Sequence, residues 1–123
     1  MEKPKYTYIT KHEGSQSLSV CFLIEAPEPF RIGEKLNEIH EEAYMNGYNW
    51  EAFFNYYLQR HHPELTIGMG SDPEAGTYVA YYSLNLENEK KAEKLVEIIE
   101  HLVANEEELY EIVQNEGHHI EWD

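Results

Sequence analysis

The sequence predicts one α+β domain over residues 1–123, with helices packed on an antiparallel sheet of about four strands. Short stretches of aromatic and β-branched residues occur in two pairs, and two segments with apolar residues at helical spacing follow each pair. The resulting order is β-β-α-α-β-β-α-α. A chain of 123 residues is long enough to bury one hydrophobic core without further support.

The first pair of strands is predicted at Tyr6–Thr10 and Leu18–Glu25, because both stretches are rich in residues that favour strands. The second stretch is almost continuously apolar, which indicates a central strand. Ala26–Pro29 ends it, since proline cannot donate a hydrogen bond to a neighbouring strand. The single cysteine, Cys21, lies in this apolar run, and we expect a small buried side chain rather than a nucleophile.

Two helices are predicted next. The first covers Gly33–Tyr44 at helical apolar spacing, and Asn46-Gly47 is its expected stop because glycine readily adopts the left-handed conformation after a helix. Asn49 is expected to cap the second helix, with Glu51 in the first turn, where the helix dipole favours a negative charge. This aromatic-rich helix should end before Pro63. Its rings either fill a central position or reach the surface as part of an interface.

The second half repeats the strand and helix pairs. Leu65–Met69 and Thr77–Leu84 are predicted to form a hairpin, and Gly70–Gly76 connects them with residues typical of turns. An apolar stripe between Ala92 and Val103 predicts the third helix. The fourth helix is expected over Asn105–Gly117, where Asn105 and the glutamate three residues later have the spacing of a capping box.

The negative charge of the chain is unevenly distributed. Residues 1–36 carry no net charge, residues 37–86 carry −6 and residues 87–123 carry −9, out of a total of −15. Such a field repels nucleic acid, anionic lipid and phosphate substrates, and it attracts basic proteins. Acidity also keeps cytosolic proteins soluble, so charge alone is compatible with a protein that has no basic partner.

The compartment is predicted from what the chain carries. With one cysteine no intrachain disulfide can form, and no apolar run approaches the ~20 residues of a membrane-spanning helix. No apolar signal region follows Met1. We therefore expect a soluble cytoplasmic protein with no membrane partner.

No motif for catalysis or for a cofactor is present in the sequence. His40 begins a zinc-protease-like helix, but Tyr44 stands where the second histidine ligand must be. The His118-His119 pair either binds a metal adventitiously or belongs to a docked tail, and the sequence does not decide between these. Asp72 and Glu74 are the best candidates for a carboxylate pair, which would make the protein a small hydrolase. We expect no enzyme activity, no cofactor and no metal site.

Three sequence blocks resemble the immunity protein 51 family of bacterial polymorphic toxin systems. They are Asn46–Phe53, Pro63–Leu65 and Asp72–Tyr78, and the resemblance extends over most of the chain. It implies a cytoplasmic antidote that binds a cognate toxin domain and blocks it without chemistry of its own. It does not identify the toxin, and it carries over no binding residue.

Charge and resemblance together predict an immunity protein whose toxin is basic, with nucleases as the leading class. Acidic residues between positions 37 and 86 are the expected contacts, with two tyrosines as aromatic anchors. The predicted toxin-binding residues are Glu38, Glu41, Glu42, Tyr48, Asp72, Glu74 and Tyr81. The alternative function is an acidic adaptor, or a mimic of nucleic acid, that binds a basic host factor. The sequence leaves open whether the protein is a monomer or a weak homodimer.

Overall fold

A four-stranded antiparallel sheet forms one layer of the protein in a computed structural model that describes residues 6–122. Its strands are β1 (Thr7–His12), β2 (Ser17–Leu23), β3 (Gly70–Ser71) and β4 (Thr77–Ser83). The spatial order is β1-β2-β4-β3, so β2 and β4 are central and β1 and β3 are the edges. The predicted central position of the second strand is confirmed.

The described residues form four helices, two of which pack directly on the sheet. They are α1 (Pro27–Ile39), α2 (Gly47–His61), α3 (Leu86–Ala104) and α4 (Glu106–Glu116). Helix α2 contacts β4, α3 contacts β1 and β2, and α1 packs against α4. The α+β class and the predicted element order are therefore confirmed.

The core lies between the helices and one face of β2 and β4. Alternate residues of these strands point inward and are buried: Leu18, Val20, Phe22, Tyr78, Ala80 and Tyr82. Most aromatic rings of α2 join them, and Trp50 lies 5.0 Å from Phe22 in an edge-to-face arrangement. The opposite face of the sheet has no helix on it in the described range, and Tyr8 and Tyr81 are exposed there.

Helix α1 differs at both ends from the predicted Gly33–Tyr44. It begins at Pro27, because the first helical position needs no N–H donor and proline already has the required φ. It ends at Ile39, and Tyr44 lies in the irregular segment beyond it. The strand-ending prolines are thus also the start of the helix.

The cap of α2 is Asn46, not Asn49. The Asn46 side chain accepts a hydrogen bond from the backbone N–H of Asn49 at 2.9 Å, and Asn49 itself is buried inside the helix. The prediction of Asn46-Gly47 as a helix stop is wrong. Gly47 is the first residue of α2, and it is close to the backbone carbonyls of Glu74 and Thr77.

The predicted strand at Leu65–Met69 is also wrong. Residues Pro63–Thr66 form a short 3₁₀ helix, and pairing with β4 is confined to Gly70–Ser71. Leu65 is buried, and its carbonyl oxygen accepts a 2.7 Å hydrogen bond from the Tyr82 hydroxyl. The predicted hairpin therefore exists, but its first strand is two residues long and begins later.

Two single-residue predictions change as well. The Asn105 side chain does not cap α4; its amide nitrogen donates to the carbonyl oxygen of His101 at 2.8 Å, at the end of α3. Cys21 is half-buried rather than buried, because it points to the uncovered face of the sheet beside Tyr8.

The residues after α4 dock on the domain. Ile120 is buried, and the Trp122 indole N–H donates to the Gly117 carbonyl oxygen at 3.0 Å. The Trp122 ring lies 5.5 Å from the His40 ring, between their centroids. The docked-tail interpretation of the segment around His118-His119 is confirmed up to residue 122.

Candidate functional site

A groove of about 220 Å³ lies where α1 meets the segment after it and the connection between β3 and β4. Its lining combines carboxylates with exposed aromatic rings. The residues that matter here are Glu25, Phe30, Glu34, Asn37, Tyr44 and Ala75. We call this feature the α1 groove.

The backbone of residues 43–46 sets the direction of Tyr44. Ala43 and Met45 are both buried, whereas Tyr44 between them is 71% exposed. Met45 has φ of 55°, in the left-handed region, and packs against α1 at Gly33, where an added Cβ would be 3.1 Å from the Met45 Cβ. The small residue in α1 thus permits the close approach that forms this wall of the groove.

Two hydrogen bonds fix the remaining walls. The Asn37 amide nitrogen donates to the Glu41 carbonyl oxygen at 3.1 Å, which ties the turn after α1 back to the helix. The Gly47 N–H donates to the Ala75 carbonyl oxygen at 2.9 Å, which holds the β3–β4 connection against the start of α2. The groove is therefore bounded by fixed backbone on both sides.

The basic residues of α1 face away from the α1 groove. The Arg31 guanidinium donates to Glu106 of α4 at 2.6 Å and to Glu28 at 2.9 Å, and the Lys35 ammonium lies 5.9 Å from the centroid of the Tyr110 ring. The Arg31 hydrogen bonds hold the pKa of the Glu106 carboxyl below its usual range.

In the described part of the chain, the carboxylates of the groove have no such partners. Among residues 6–122, no basic nitrogen lies within 4 Å of a carboxylate oxygen of Glu25 or Glu34. Their negative charge is therefore not neutralised locally by the described part of the chain.

A second cleft of about 450 Å³ runs between α2 and the docked tail, and Tyr48 and Tyr56 line it. Two of its polar side chains are paired with a carboxylate outside the lining. The Tyr56 hydroxyl donates to Glu116 at 2.6 Å, which raises the pKa of the tyrosine, and the Arg60 guanidinium is 3.6 Å from the same carboxylate.

An open acidic concavity of about 520 Å³ surrounds the start of α4, where Glu106, Glu107, Glu108 and Glu111 lie. A helix N-terminus favours negative charge, so these residues stabilise α4 without any ligand. Glu108 is also paired with His101 at 3.0 Å.

Neither the possible metal ligands nor the single cysteine supports a reactive site in the described range. Within residues 6–122 no three histidine, cysteine, aspartate or glutamate side chains are placed to hold one metal ion. Burial raises the pKa of the Cys21 thiol, which disfavours the reactive thiolate. Asp72 and Glu74 are exposed on a turn rather than enclosed in a cleft, so the geometry gives no support to the hydrolase alternative. No helix in the described range is both long and apolar enough to cross a bilayer.

Comparison with protein-family models identifies the family of this chain. The family model described as Immunity protein 51 matches residues 8–118, which is most of the chain. The chain belongs to the immunity protein 51 family. No curated protein and no solved structure matches it.

In this immunity protein, none of the predicted contact residues lines the α1 groove, but four of them lie within a few residues of its lining in the sequence. Glu38 is exposed near the end of α1, and Glu41 and Glu42 are exposed in the turn that follows. Glu74 precedes Ala75 of the groove wall, and its backbone pairs with Thr77. The topology therefore gathers acidic residues from distant parts of the sequence at one end of the domain.

The other three predicted residues are more dispersed. The Asp72 N–H donates to the Val79 carbonyl oxygen at 3.0 Å, so Asp72 extends the β3–β4 pairing. Tyr48, in the first turn of α2, lines the second cleft. Tyr81 lies on the uncovered face of the sheet, with its ring against Gly70, and is separate from the groove.

The predicted set does not include Phe30, Glu25, Glu34 and Tyr44. A helix that begins at Pro27 places Phe30, Glu34 and Asn37 at positions i, i+4 and i+7, on one flank. Recognising the proline as the first helical residue would have identified this flank from the sequence. The prediction that α1 extends to Tyr44 is wrong, because the helix ends at Ile39 and Tyr44 is exposed beyond it.

Proposed function

We propose that this immunity protein neutralises a cognate bacterial toxin by binding the toxin domain noncovalently. Membership of the immunity protein 51 family is the observation that carries the proposal. Among residues 6–122 no three metal-ligating side chains are grouped to suggest a metal-dependent mechanism instead. Inhibition by occupation of the toxin surface needs no metal ion.

The partner that fits this surface is a basic toxin domain. A net charge of −15 attracts a cationic protein and speeds its encounter at low salt. Nucleases are the leading class, because an acidic inhibitor can occupy a surface made for phosphate groups. The first contacts to test are the acidic residues near the α1 groove, namely Glu38, Glu41, Glu42 and Glu74. Tyr48, Asp72 and Tyr81 remain predicted contacts.

The test is inhibition of the toxin domain encoded beside this gene. Cells that express the toxin should survive when this protein is co-expressed, and purified toxin should lose activity at a 1:1 molar ratio. An unrelated acidic protein of similar charge and size is the control for charge alone. Equal cell death with and without this protein would contradict the proposal. Recovery of a host nucleic-acid-binding protein in place of a toxin fragment would favour the adaptor alternative.

A further inference from the structure

We propose that the α1 groove is the toxin-binding surface of this protein, and that a toxin loop bearing arginine or lysine occupies it. This inference rests on the proposed function and specifies its binding face. It adds Phe30, Tyr44, Glu25 and Glu34 to the contact surface.

Exposed aromatic rings support this assignment. Tyr44 is 71% exposed and Phe30 is 51% exposed, and both line the same groove. Leaving such rings in water forgoes the free energy of their burial, and interfaces use tyrosine and other aromatics as anchors. Because Ala43 and Met45 are buried on either side of it, Tyr44 cannot turn inward without displacing one of them.

The negative charge of the α1 groove favours a basic side chain of the toxin as its occupant. Glu25 and Glu34 flank the rings, and the bases of the same helix, Arg31 and Lys35, are directed toward α4. A guanidinium or ammonium group in the groove would meet a carboxylate and the face of an aromatic ring together. A polyanion such as nucleic acid would meet only repulsion.

The second cleft also combines tyrosines with carboxylates, but the basic side chain of Arg60 lines it as well. The remaining exposed surfaces lack the combination. The outward-facing positions of the uncovered sheet face hold Tyr8 and Tyr81, but no carboxylate is present at any outward strand position. The acidic concavity at α4 holds carboxylates but no exposed aromatic ring. Within the described range, the α1 groove is where both kinds of group converge without a basic side chain in the lining. Its walls are held by hydrogen bonds to backbone carbonyl groups, which lowers the entropy cost of binding.

The experiment measures binding of the purified toxin domain to matched pairs of variants of the full chain. Tyr44→Ala is paired with Tyr8→Ala, since both remove an exposed tyrosine. Glu34→Lys is paired with Glu111→Lys, since both reverse one exposed helical charge and alter the net charge equally. Urea unfolding of each variant shows that the domain is intact, and association and dissociation rates are measured at two salt concentrations.

The groove variants should weaken binding by about tenfold or more, mainly through faster dissociation. The paired controls should remain within about threefold, and Glu111→Lys should slow association only, by weaker electrostatic steering. If the unmodified protein does not bind the toxin, the proposed function itself fails. If it binds and the groove variants bind as tightly as their controls, the groove assignment is overturned while the proposed function stands.

Discussion

Replacing Gly47 by alanine tests how the β3–β4 connection is held against α2. A Cβ at this position would overlap the Glu74 carbonyl oxygen and lie 2.5 Å from the Thr77 carbonyl oxygen. Ordinary contact for a Cβ begins at 3.4 Å. Both obstacles are backbone atoms that no side-chain rotation can move, so the whole connection must shift by roughly 1 Å or more.

The magnitude follows from what that shift breaks. The connection is held by the hydrogen bond from Gly47 to Ala75 at 2.9 Å and by the one from Glu74 to Thr77 at 2.8 Å. Losing both costs about 1 kcal/mol each, and residual overpacking adds about 1–3 kcal/mol. The better helix propensity of alanine offsets less than about 1 kcal/mol of this. We expect the free energy of unfolding to fall by about 2–4 kcal/mol, a large part of the ~5–15 kcal/mol typical of a domain.

Urea unfolding followed by circular dichroism gives the value, with the slope against urea concentration checked for constancy. Gly14→Ala is the matched control, because a Cβ at Gly14 meets nothing within 4 Å and the change should stay within ~0.5 kcal/mol. Equal stability of the two variants would refute the close-approach explanation for Gly47.

Two further predictions concern single hydrogen bonds. Asn46→Ala removes the cap of α2 and should lower the free energy of unfolding by about 1 kcal/mol in the same urea assay; no change would mean that the cap contributes nothing. Tyr82→Phe leaves the buried Leu65 carbonyl oxygen without its partner and should cost about 1–3 kcal/mol at neutral pH. Burial raises the pKa of Tyr82 from its ordinary 10.0 to about 12. The contribution of the neutral Tyr82 to the free energy of unfolding is therefore fully present below pH 10 and is lost as the pH rises from 10 toward 12. Unfolding measured at several alkaline pH values should show a smaller decline for the phenylalanine variant, and an equal decline would contradict this.

The parts of the fold that could be predicted depend on repeated local patterns. The alternation in β2 and β4 and the apolar stripe of α3 each extend over several residues, so one burial interface determines many positions. The wrong predictions concern residues that are compatible with two different local structures. Pro27 can end a strand or begin a helix, and Asn46-Gly47 can end one helix or begin the next.

For Gly47 the choice is made by a tertiary contact. Its contact with residues 74–77 is specified by no residue near it in the sequence. The candidate site also depends on contacts between residues that are distant in the sequence. Acidic residues in the 37–86 region could be named from charge alone, but their grouping near Ala75 depends on how the β3–β4 connection packs on α2.

The positions of the two tryptophans make intrinsic fluorescence a two-part reporter. Trp50 is 1% exposed among the rings of Phe22 and Phe54, so its emission should be blue-shifted and should change only when the domain unfolds. Trp122 is half-buried over His40, and its emission should change whenever the tail leaves this position. Variants that keep one indole each would therefore separate release of the tail from cooperative unfolding in a single spectroscopic experiment.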